Sequence, residues 1–139
     1  MTDVFSPSKR KEVMSAIRSK NSKAELLVFQ YLHKNEIYYQ KHYNRALGKP
    51  DIALPRKKLA VFIDGDFWHG KNMERRLRGR ANDDYWVKKI QANVTRDKNQ
   101  RFNLESSGWR LLAVWESDIL RKRTREQTLI KIKKFITIE

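Results

Sequence analysis

The stretch that decides the fold is Lys58-Leu59-Ala60-Val61-Phe62-Ile63-Asp64-Gly65-Asp66. Every residue from Leu59 to Ile63 is apolar, and a short continuous apolar run is typical of a strand that is covered on both faces. The run ends abruptly in charge at Asp64 and Asp66. We therefore predict a central β-strand over residues 58–64, with carboxylates at its carboxyl end.

Three other segments have the composition of β-strands. Residues 51–54 precede the central strand, and the intervening Pro55-Arg56-Lys57 is typical of a tight hairpin connection. Residues 37–43 form an earlier run, which Gly48-Lys49-Pro50 separates from the hairpin. Downstream, residues 109–115 (WRLLAVW) predict a fourth, buried strand.

Helical patterns lie on both sides of these strands. Residues 9–19 predict a short helix, and Ser22-Lys23-Ala24-Glu25 has the form of a capping box that opens a second helix, ending near Asn35. Asn82 is placed to cap a long helix. One face of that helix, at helical spacing, carries Trp86, Ile90, Val94 and Asp97.

A last helix is predicted over residues 124–136, opened by Thr124 and Gln127. The resulting order of elements is α α β β β α β α. Such an order predicts an α/β fold, in which a single mixed β-sheet is flanked by helices on both faces.

Composition bounds the size and partners of the protein. The chain has 139 residues, the length of one domain, which we take as residues 1–139 with an N-terminal arm at 1–8. Lysine and arginine total 31 against 16 acidic residues, for a formal net charge of +15. So large a surplus on so small a chain indicates a polyanionic partner, usually nucleic acid. Membrane binding is the alternative, but the sequence contains no basic amphipathic helix with a broad apolar face.

Cysteine is absent, which excludes disulfides and any zinc site built on thiolates. No apolar run approaches the roughly 18 residues that span a bilayer. The first residues, MTDVFSPSKRKEV, contain no apolar core of a secretory signal. We therefore expect a cytoplasmic protein.

Carboxylates are predicted to converge at one corner of the sheet. The hairpin places Asp51, which begins one strand, opposite Asp64, which ends the next. Carboxylates this close repel one another unless a hard divalent cation lies between them, so Asp51 and Asp64 are candidate catalytic and metal-binding residues. For Asp51 the alternative is a turn residue, because aspartate is common in turns.

The segment after the acidic corner is also unusual. Phe67 and Trp68 are either a lid on the core or a surface that stacks on or wedges between bases. His69 is either a solvated histidine or a general acid or base. Asp97 lies on the buried face of its helix and needs a partner, for which His69 and a core-edge lysine or arginine are candidates. Glu25 is explained by the capping box alone.

Three basic segments cover residues 9–23, 71–80 and 121–134. The first two flank the acidic corner in sequence, which favours contacts with phosphates around it, whereas the third is typical of a solvated helix face. The candidate phosphate contacts are Lys9, Arg10, Arg18, Lys20, Lys71, Arg75 and Arg76.

Four segments together carry a resemblance to a known family. They are Lys49-Pro50-Asp51, Asp64 through His69, Trp86 through Asp97 with its Asn-Val-x-Arg-Asp ending, and Gly108 through Glu116. In this combination the chain resembles the very short patch repair (Vsr) endonuclease family, over most of its length.

The resemblance implies a restriction-endonuclease-like core of the PD-(D/E)xK superfamily. It also implies an enzyme that uses Mg²⁺ to cut one strand of double-stranded DNA at a T:G mismatch. By motif match, Asp51 and the main-chain carbonyl of Ile63 would bind the metal. His69, paired with Asp97, would be the catalytic histidine, and Glu25 a further active-site carboxylate.

The same resemblance implies the contacts with DNA and the partners. Met14, Phe67 and Trp68 would wedge into the base stack beside the mismatch. The expected partners are mismatched double-stranded DNA and mismatch-repair proteins, with the enzyme acting as a monomer.

Two departures from the family pattern stand out. The family usually has a histidine where this chain has Asp64, which at neutral pH is suited to binding metal rather than to donating a proton. It also usually has a structural zinc, and the positions here include Asp66, Gly70 and Ser117 with no cysteine, so we expect no structural zinc.

The sequence thus predicts a Mg²⁺-dependent DNA endonuclease that nicks one strand, at T:G mismatches. The alternatives are a site-specific, homing-type or junction nuclease on the same core, and a DNA-binding protein with an inactive nuclease fold. Retention of Asp51, His69 and Asp97 favours an enzyme, because a protein that only binds DNA has no use for buried charge.

Overall fold

The computed structural model describes residues 22–66 and 83–138. Within them, helix α1 covers Lys23–Lys34 and is followed by strands β1 (Gln40–Lys41), β2 (Ile52–Leu54) and β3 (Leu59–Asp64). The long helix α2 (Asp83–Ser106) leads to strand β4 (Arg110–Trp115). Two consecutive helices end the described chain, α3 (Glu116–Leu120) and α4 (Lys122–Ile136).

The strands form one mixed sheet in the order β1-β2-β3-β4. β1 and β2 are antiparallel, β2 and β3 form the predicted hairpin, and β3 and β4 run parallel. A parallel pair needs a crossover connection, and α2 provides it. The apolar run Leu59–Ile63 accordingly lies between two neighbouring strands, and the whole of β3 is buried.

Helices cover both faces of the sheet. Alternate residues of β3 point to opposite sides, so that Leu59, Val61 and Ile63 pack with α1, α3 and α4, whereas Ala60 and Phe62 pack with α2. The larger core draws on Val28 and Leu32 of α1, Ile119 of α3, and Ile132 and Ile136 of α4. On the other face, Leu104 of α2 closes a smaller core. These contacts confirm the predicted α/β fold with helices on both faces.

Several element boundaries differ from the predicted ones. β1 has two residues rather than the predicted seven, because Ile37 and Tyr39 pack against the core beside α1 instead of continuing the ladder. Helix α3 was not predicted, because five residues are too few to show a helical period. The last helix begins at Lys122, so Thr124 is not its cap, and the Thr124 hydroxyl instead donates to the carbonyl of Asp118 at 2.8 Å.

The predicted helix at residues 9–19, the arm at 1–8 and the cap at Asn82 lie outside the described residues. No helix in residues 22–66 or 83–138 combines the length and hydropathy that a membrane crossing requires.

Candidate active site

Asp51 lies where the sheet begins, immediately before β2. Its Oδ2 accepts a hydrogen bond of 2.6 Å from the main-chain N–H of Ile63 on the neighbouring strand. The carbonyl of Asp51 in turn accepts from His42 N at 2.9 Å, on the other side. β3 therefore fixes the carboxylate, whose side chain is 24% exposed, while the bond from His42 fixes the main chain of Asp51.

Glu25 both caps α1 and faces Asp51's end of the sheet. The predicted capping box is present: Glu25 N donates to Ser22 Oγ, and Ser22 N donates to Glu25 Oε1, each at 3.3 Å. The residue is only 6% exposed. Its second oxygen, Oε2, lies 3.2 Å from Nε2 of His42. The cap thus engages one carboxylate oxygen and leaves the other for a second role.

His42 is a site residue that sequence reasoning missed. It follows β1 with a φ of 46°, a left-handed conformation that few non-glycine residues adopt. The consecutive N–H groups of His42 and Tyr43 both donate towards the β2 side, to Asp51 and Pro50 at 2.9 Å, which a regular strand does not allow. This bend turns the imidazole inward, with Nδ1 at 4.0 Å from Asp51 Oδ1. A histidine near the end of the predicted run at residues 37–43, which precedes the Asp51 strand, was the available signal.

Glu25, His42 and Asp51 together form a cluster suited to a cation. Each offers a ligand atom, and these atoms lie within 4.8 Å of one another. Two carboxylates and an imidazole are ligands of divalent metals, and a cation between them would offset the repulsion of the carboxylates. The donor set therefore fits a divalent ion. The main-chain carbonyl of Ile63 remains a predicted metal ligand. The N–H of the same residue donates to Asp51.

Asp64 does not join this cluster. The hairpin register pairs Ile52 with Val61, so Asp64 lies beyond the position that faces Asp51, and the expectation that the two are directly opposite is wrong. The Asp64 side chain points to the α2 face, where both of its oxygens accept hydrogen bonds from Arg101, at 2.7 and 2.9 Å. A carboxylate held in this way by a guanidinium is poorly placed as a ligand of a metal at Asp51.

Arg101 extends from α2 and pairs with Asp64. Its guanidinium lies 4.2 Å from the centre of the Phe62 ring. Burial by itself would lower the pKa of Arg101, but the hydrogen bond and charge of Asp64, with smaller contributions from Asp97 and Asp51, outweigh burial and raise the pKa. Arg101 is therefore a permanent cation that pairs with Asp64 and is also stabilised by the charges of Asp97 and Asp51. Sequence reasoning did not single it out.

Asp97 lies on the inner face of α2, as predicted, with 14% of its side chain exposed. Arg96, the preceding residue on the same helix, has its Nη2 3.5 Å from Asp97 Oδ1. Asp97 also lines a cavity of about 240 Å³ between α2 and β4, together with Asp64 and Arg101. The proposed partner His69 lies outside the described residues, so their pairing stays a prediction.

Asp66 and Ser117, two of the three positions at which the resemblance implies a zinc site in the family, are in contact here. Ser117 N, in the first turn of α3, donates to Asp66 Oδ1 at 3.1 Å. A carboxylate at a helix N-terminus is favoured by the helix dipole. This hydrogen bond connects the end of β3 to α3 without any need for a thiolate.

All of the predicted DNA contacts lie outside the described residues. They are Lys9, Arg10, Met14, Arg18, Lys20, Phe67, Trp68, Lys71, Arg75 and Arg76. In the third basic segment, Arg121, Lys122 and Arg123 are exposed, as predicted for a solvated face, but Arg125 is half-buried and donates to the carbonyls of Ile119 and Leu120.

Comparison with known proteins gives the family. The family described as DNA mismatch endonuclease Vsr matches residues 2–75. A type II nicking enzyme, V.NmeAIP of Neisseria meningitidis, is 38% identical over 132 residues, which cover 95% of this chain and 94% of the relative. V.HpaIIP of Haemophilus parainfluenzae, also a type II nicking enzyme, is 39% identical over 86% of each chain. The DNA mismatch endonuclease Vsr of Escherichia coli is 28% identical over 84% of this chain and 74% of the relative.

The protein combines a mixed sheet, an acidic cluster at one end of that sheet and a strongly basic chain, as restriction-endonuclease-like enzymes do. The relatives define its class as a DNA endonuclease. Its substrate is DNA. Within that class, the chain belongs to the Vsr family.

Proposed function

We propose that this enzyme uses Mg²⁺ to nick one strand of duplex DNA at T:G mismatches, in very short patch repair. The observation that carries the proposal is the Asp51 carboxylate, fixed by Ile63 N at 2.6 Å and facing Glu25 and His42, in a chain of the Vsr family. Nicking rather than double-strand cleavage is supported by the names of the relatives from Neisseria and Haemophilus, and the mismatch by that of the relative from Escherichia coli.

Asp51 and Glu25 supply the hard oxygen ligands that Mg²⁺ requires, and we propose the Ile63 carbonyl as a further ligand. A bound Mg²⁺ would neutralise charge on the scissile phosphate and lower the pKa of a water molecule. The protein holds the Asp51 carboxylate in one orientation before any ligand binds, because Ile63 N takes one of its oxygens. Ser22 orients Glu25 in the same way.

Proton transfer is assigned to His69, and Asp97 is assigned as the residue that orients its imidazole. His69 either activates the attacking water or protonates the leaving 3′ oxygen. Met14, Phe67 and Trp68 are assigned to the wedge beside the mismatch, since inserting side chains costs least where base stacking is already poor. The basic residues of segments 9–23 and 71–80 are assigned to phosphates, which position the duplex without reading its sequence.

Cleavage of a set of duplexes that differ at a single base pair tests the proposed substrate. End-labelled 30-mers with T:G, T:A and C:G at one position, in several sequence contexts, are incubated with enzyme and Mg²⁺. We expect one labelled strand to be cut, in the T:G duplex only. Equal cutting of all three duplexes would indicate a site-specific or homing-type nuclease, selective cutting of a four-way junction would indicate a junction nuclease, and binding without cutting would indicate an inactive fold.

A double-mutant cycle tests the assignment of His69 and Asp97. If Asp97 acts only through the imidazole, the two effects do not add. His69→Ala should lower the single-turnover rate by about 10²–10⁴, the usual contribution of one acid–base group. Asp97→Asn should cost no more than that, and the double variant should be no slower than His69→Ala. Additive losses would show that Asp97 acts elsewhere, for instance through Arg96.

A further inference from the structure

The relation between Glu25 and His42 is not that of an ordinary ion pair. Glu25 Oε2 and His42 Nε2 lie 3.2 Å apart, a distance suited to a hydrogen bond. Yet both atoms are buried, and neither makes a correctly directed hydrogen bond with any group in residues 22–66 or 83–138. A buried carboxylate oxygen left in this state is costly, so something else is expected to satisfy it.

A metal ion satisfies both atoms at once. Two adjacent ligands of an octahedral ion, each about 2.1 Å from it, lie about 3 Å apart and direct their lone pairs at the ion rather than at each other. The 3.2 Å separation and the misaligned hydrogen-bond geometry both match that arrangement. Asp51 completes the set, because its ligand atom lies within 4.8 Å of the other two.

The backbone is bent to bring the imidazole to this place. His42 holds a φ of 46°, a conformation that costs a non-glycine residue about 1–2 kcal/mol. The Phe29 ring supports the imidazole in a T-shaped contact, with ring centres 5.8 Å apart and planes at 90°. An exposed or incidental histidine would need neither feature, and His33, on the outer face of α1, has neither.

We propose that His42 is a third protein ligand of the metal centre, together with Glu25 and Asp51, and that the centre therefore prefers a divalent transition ion such as Mn²⁺ to Mg²⁺. The inference rests on the proposed metal centre at Asp51. Its physical basis is that imidazole binds first-row transition ions well, whereas Mg²⁺ prefers an all-oxygen shell. The predicted Ile63 carbonyl is compatible with this set.

The test is the binding of Mn²⁺ to the intact enzyme, followed by electron paramagnetic resonance without DNA. Wild type should bind one Mn²⁺ that a several-fold excess of Mg²⁺ does not displace, and pulsed spectra should show coupling to a ligand nitrogen. His42→Gln should bind Mn²⁺ at least about tenfold more weakly, since even partners outside the ligand shell are worth about 10–100-fold. The nitrogen coupling should disappear, and Mg²⁺ affinity should change less.

His33→Gln is the matched control and should keep both the affinity and the coupling. Unchanged Mn²⁺ affinity and nitrogen coupling in His42→Gln would overturn the inference, as would absence of Mn²⁺ binding by wild type. If His42 is not a ligand but Asp51→Asn still abolishes metal-dependent nicking, the proposed function stands while this inference fails. If wild type nicks DNA without any divalent ion, the proposed metal centre itself fails.

Discussion

The pair formed by Asp64 and Arg101 allows a quantitative prediction about stability. The Asp64 side chain is 9% exposed and that of Arg101 21%, and two short hydrogen bonds join them. Removing one partner of a buried pair costs about 3–5 kcal/mol, because the charge of the other partner stays in a place that water does not reach. Since a fifth of the arginine remains in contact with solvent, we expect the lower end, about 3 kcal/mol, for Arg101→Met.

The same helix offers a matched control. Arg96 lies five residues earlier and is 58% exposed, and its ion pair with Asp97 has a separation of 3.5 Å. Arg96→Met should cost no more than about 1 kcal/mol, as for other exposed ion pairs. A chain of this length loses about 3–5 °C in Tm per kcal/mol, so the two variants should differ by several degrees.

Urea unfolding followed by circular dichroism measures Arg101→Met, Arg96→Met, Asp64→Ala and the combination of Asp64→Ala with Arg101→Met. The double variant Asp64→Ala/Arg101→Met should be more stable than Arg101→Met alone, because it no longer buries an unpaired charge. If Arg101→Met is no less stable than Arg96→Met, or if the effects of the two substitutions in the double variant simply add, then this pair does not hold α2 against the sheet.

Three further predictions concern a glycine, a helix cap and a half-buried phenol. Gly48 has a φ of 79°, and a Cβ there would lie 3.2 Å from the Phe62 ring, whereas at Gly108, where φ is 95°, the nearest atom is the end of a flexible lysine at 3.6 Å. Gly48→Ala should therefore lower the Tm more than Gly108→Ala does. Equal losses of Tm would show that the ring moves freely. Ser22→Ala should destabilise the protein by about 1 kcal/mol in urea, as loss of an N-cap does, and no loss would mean that the capping box is not formed in solution. Burial raises the pKa of Tyr39, so the stability that the neutral phenol contributes is complete below the ordinary pKa of 10.0 and is lost as the pH rises through the raised pKa. Tyr39→Phe should therefore lessen the fall in the free energy of urea unfolding between pH 8 and 11. An identical fall in the two proteins would refute that reasoning.

The central part of the fold could be predicted because its signals are local. The apolar run at Leu59–Ile63, the turn at Pro55–Lys57 and the capping box at Ser22 each lie within a few residues of sequence, and the structure contains all three. The inner face of α2 could also be predicted, from the helical spacing of Trp86, Ile90, Val94 and Asp97. Each of these features depends on the chain's own periodicity rather than on a distant partner.

The features that escaped prediction depend on contacts between distant segments. Arg101 meets Asp64 only because α2 crosses the sheet with a particular rotation, which no spacing within the helix specifies. His42 enters the site through a left-handed bend whose cause is pairing with the Asp51 segment, nine residues away. Asp51 does not face Asp64 because, counted outward from the pair Leu54–Leu59, Asp51 falls opposite Phe62, two residues short of Asp64.

The most direct test of the account is cleavage by Asp51→Asn, which keeps the size and shape of the side chain but removes its charge. Single-turnover nicking of the T:G duplex is measured over a Mg²⁺ titration for wild type, Asp51→Asn and Glu105→Gln, an exposed carboxylate on α2 that serves as the control. We predict that wild type and Glu105→Gln cut only with a divalent ion, while Asp51→Asn binds the duplex at least as tightly but cuts it about 10²-fold or more slowly, since metal stabilisation is worth several kcal/mol. Cutting at the wild-type rate by Asp51→Asn would contradict the assignment of Asp51 as the centre of the active site.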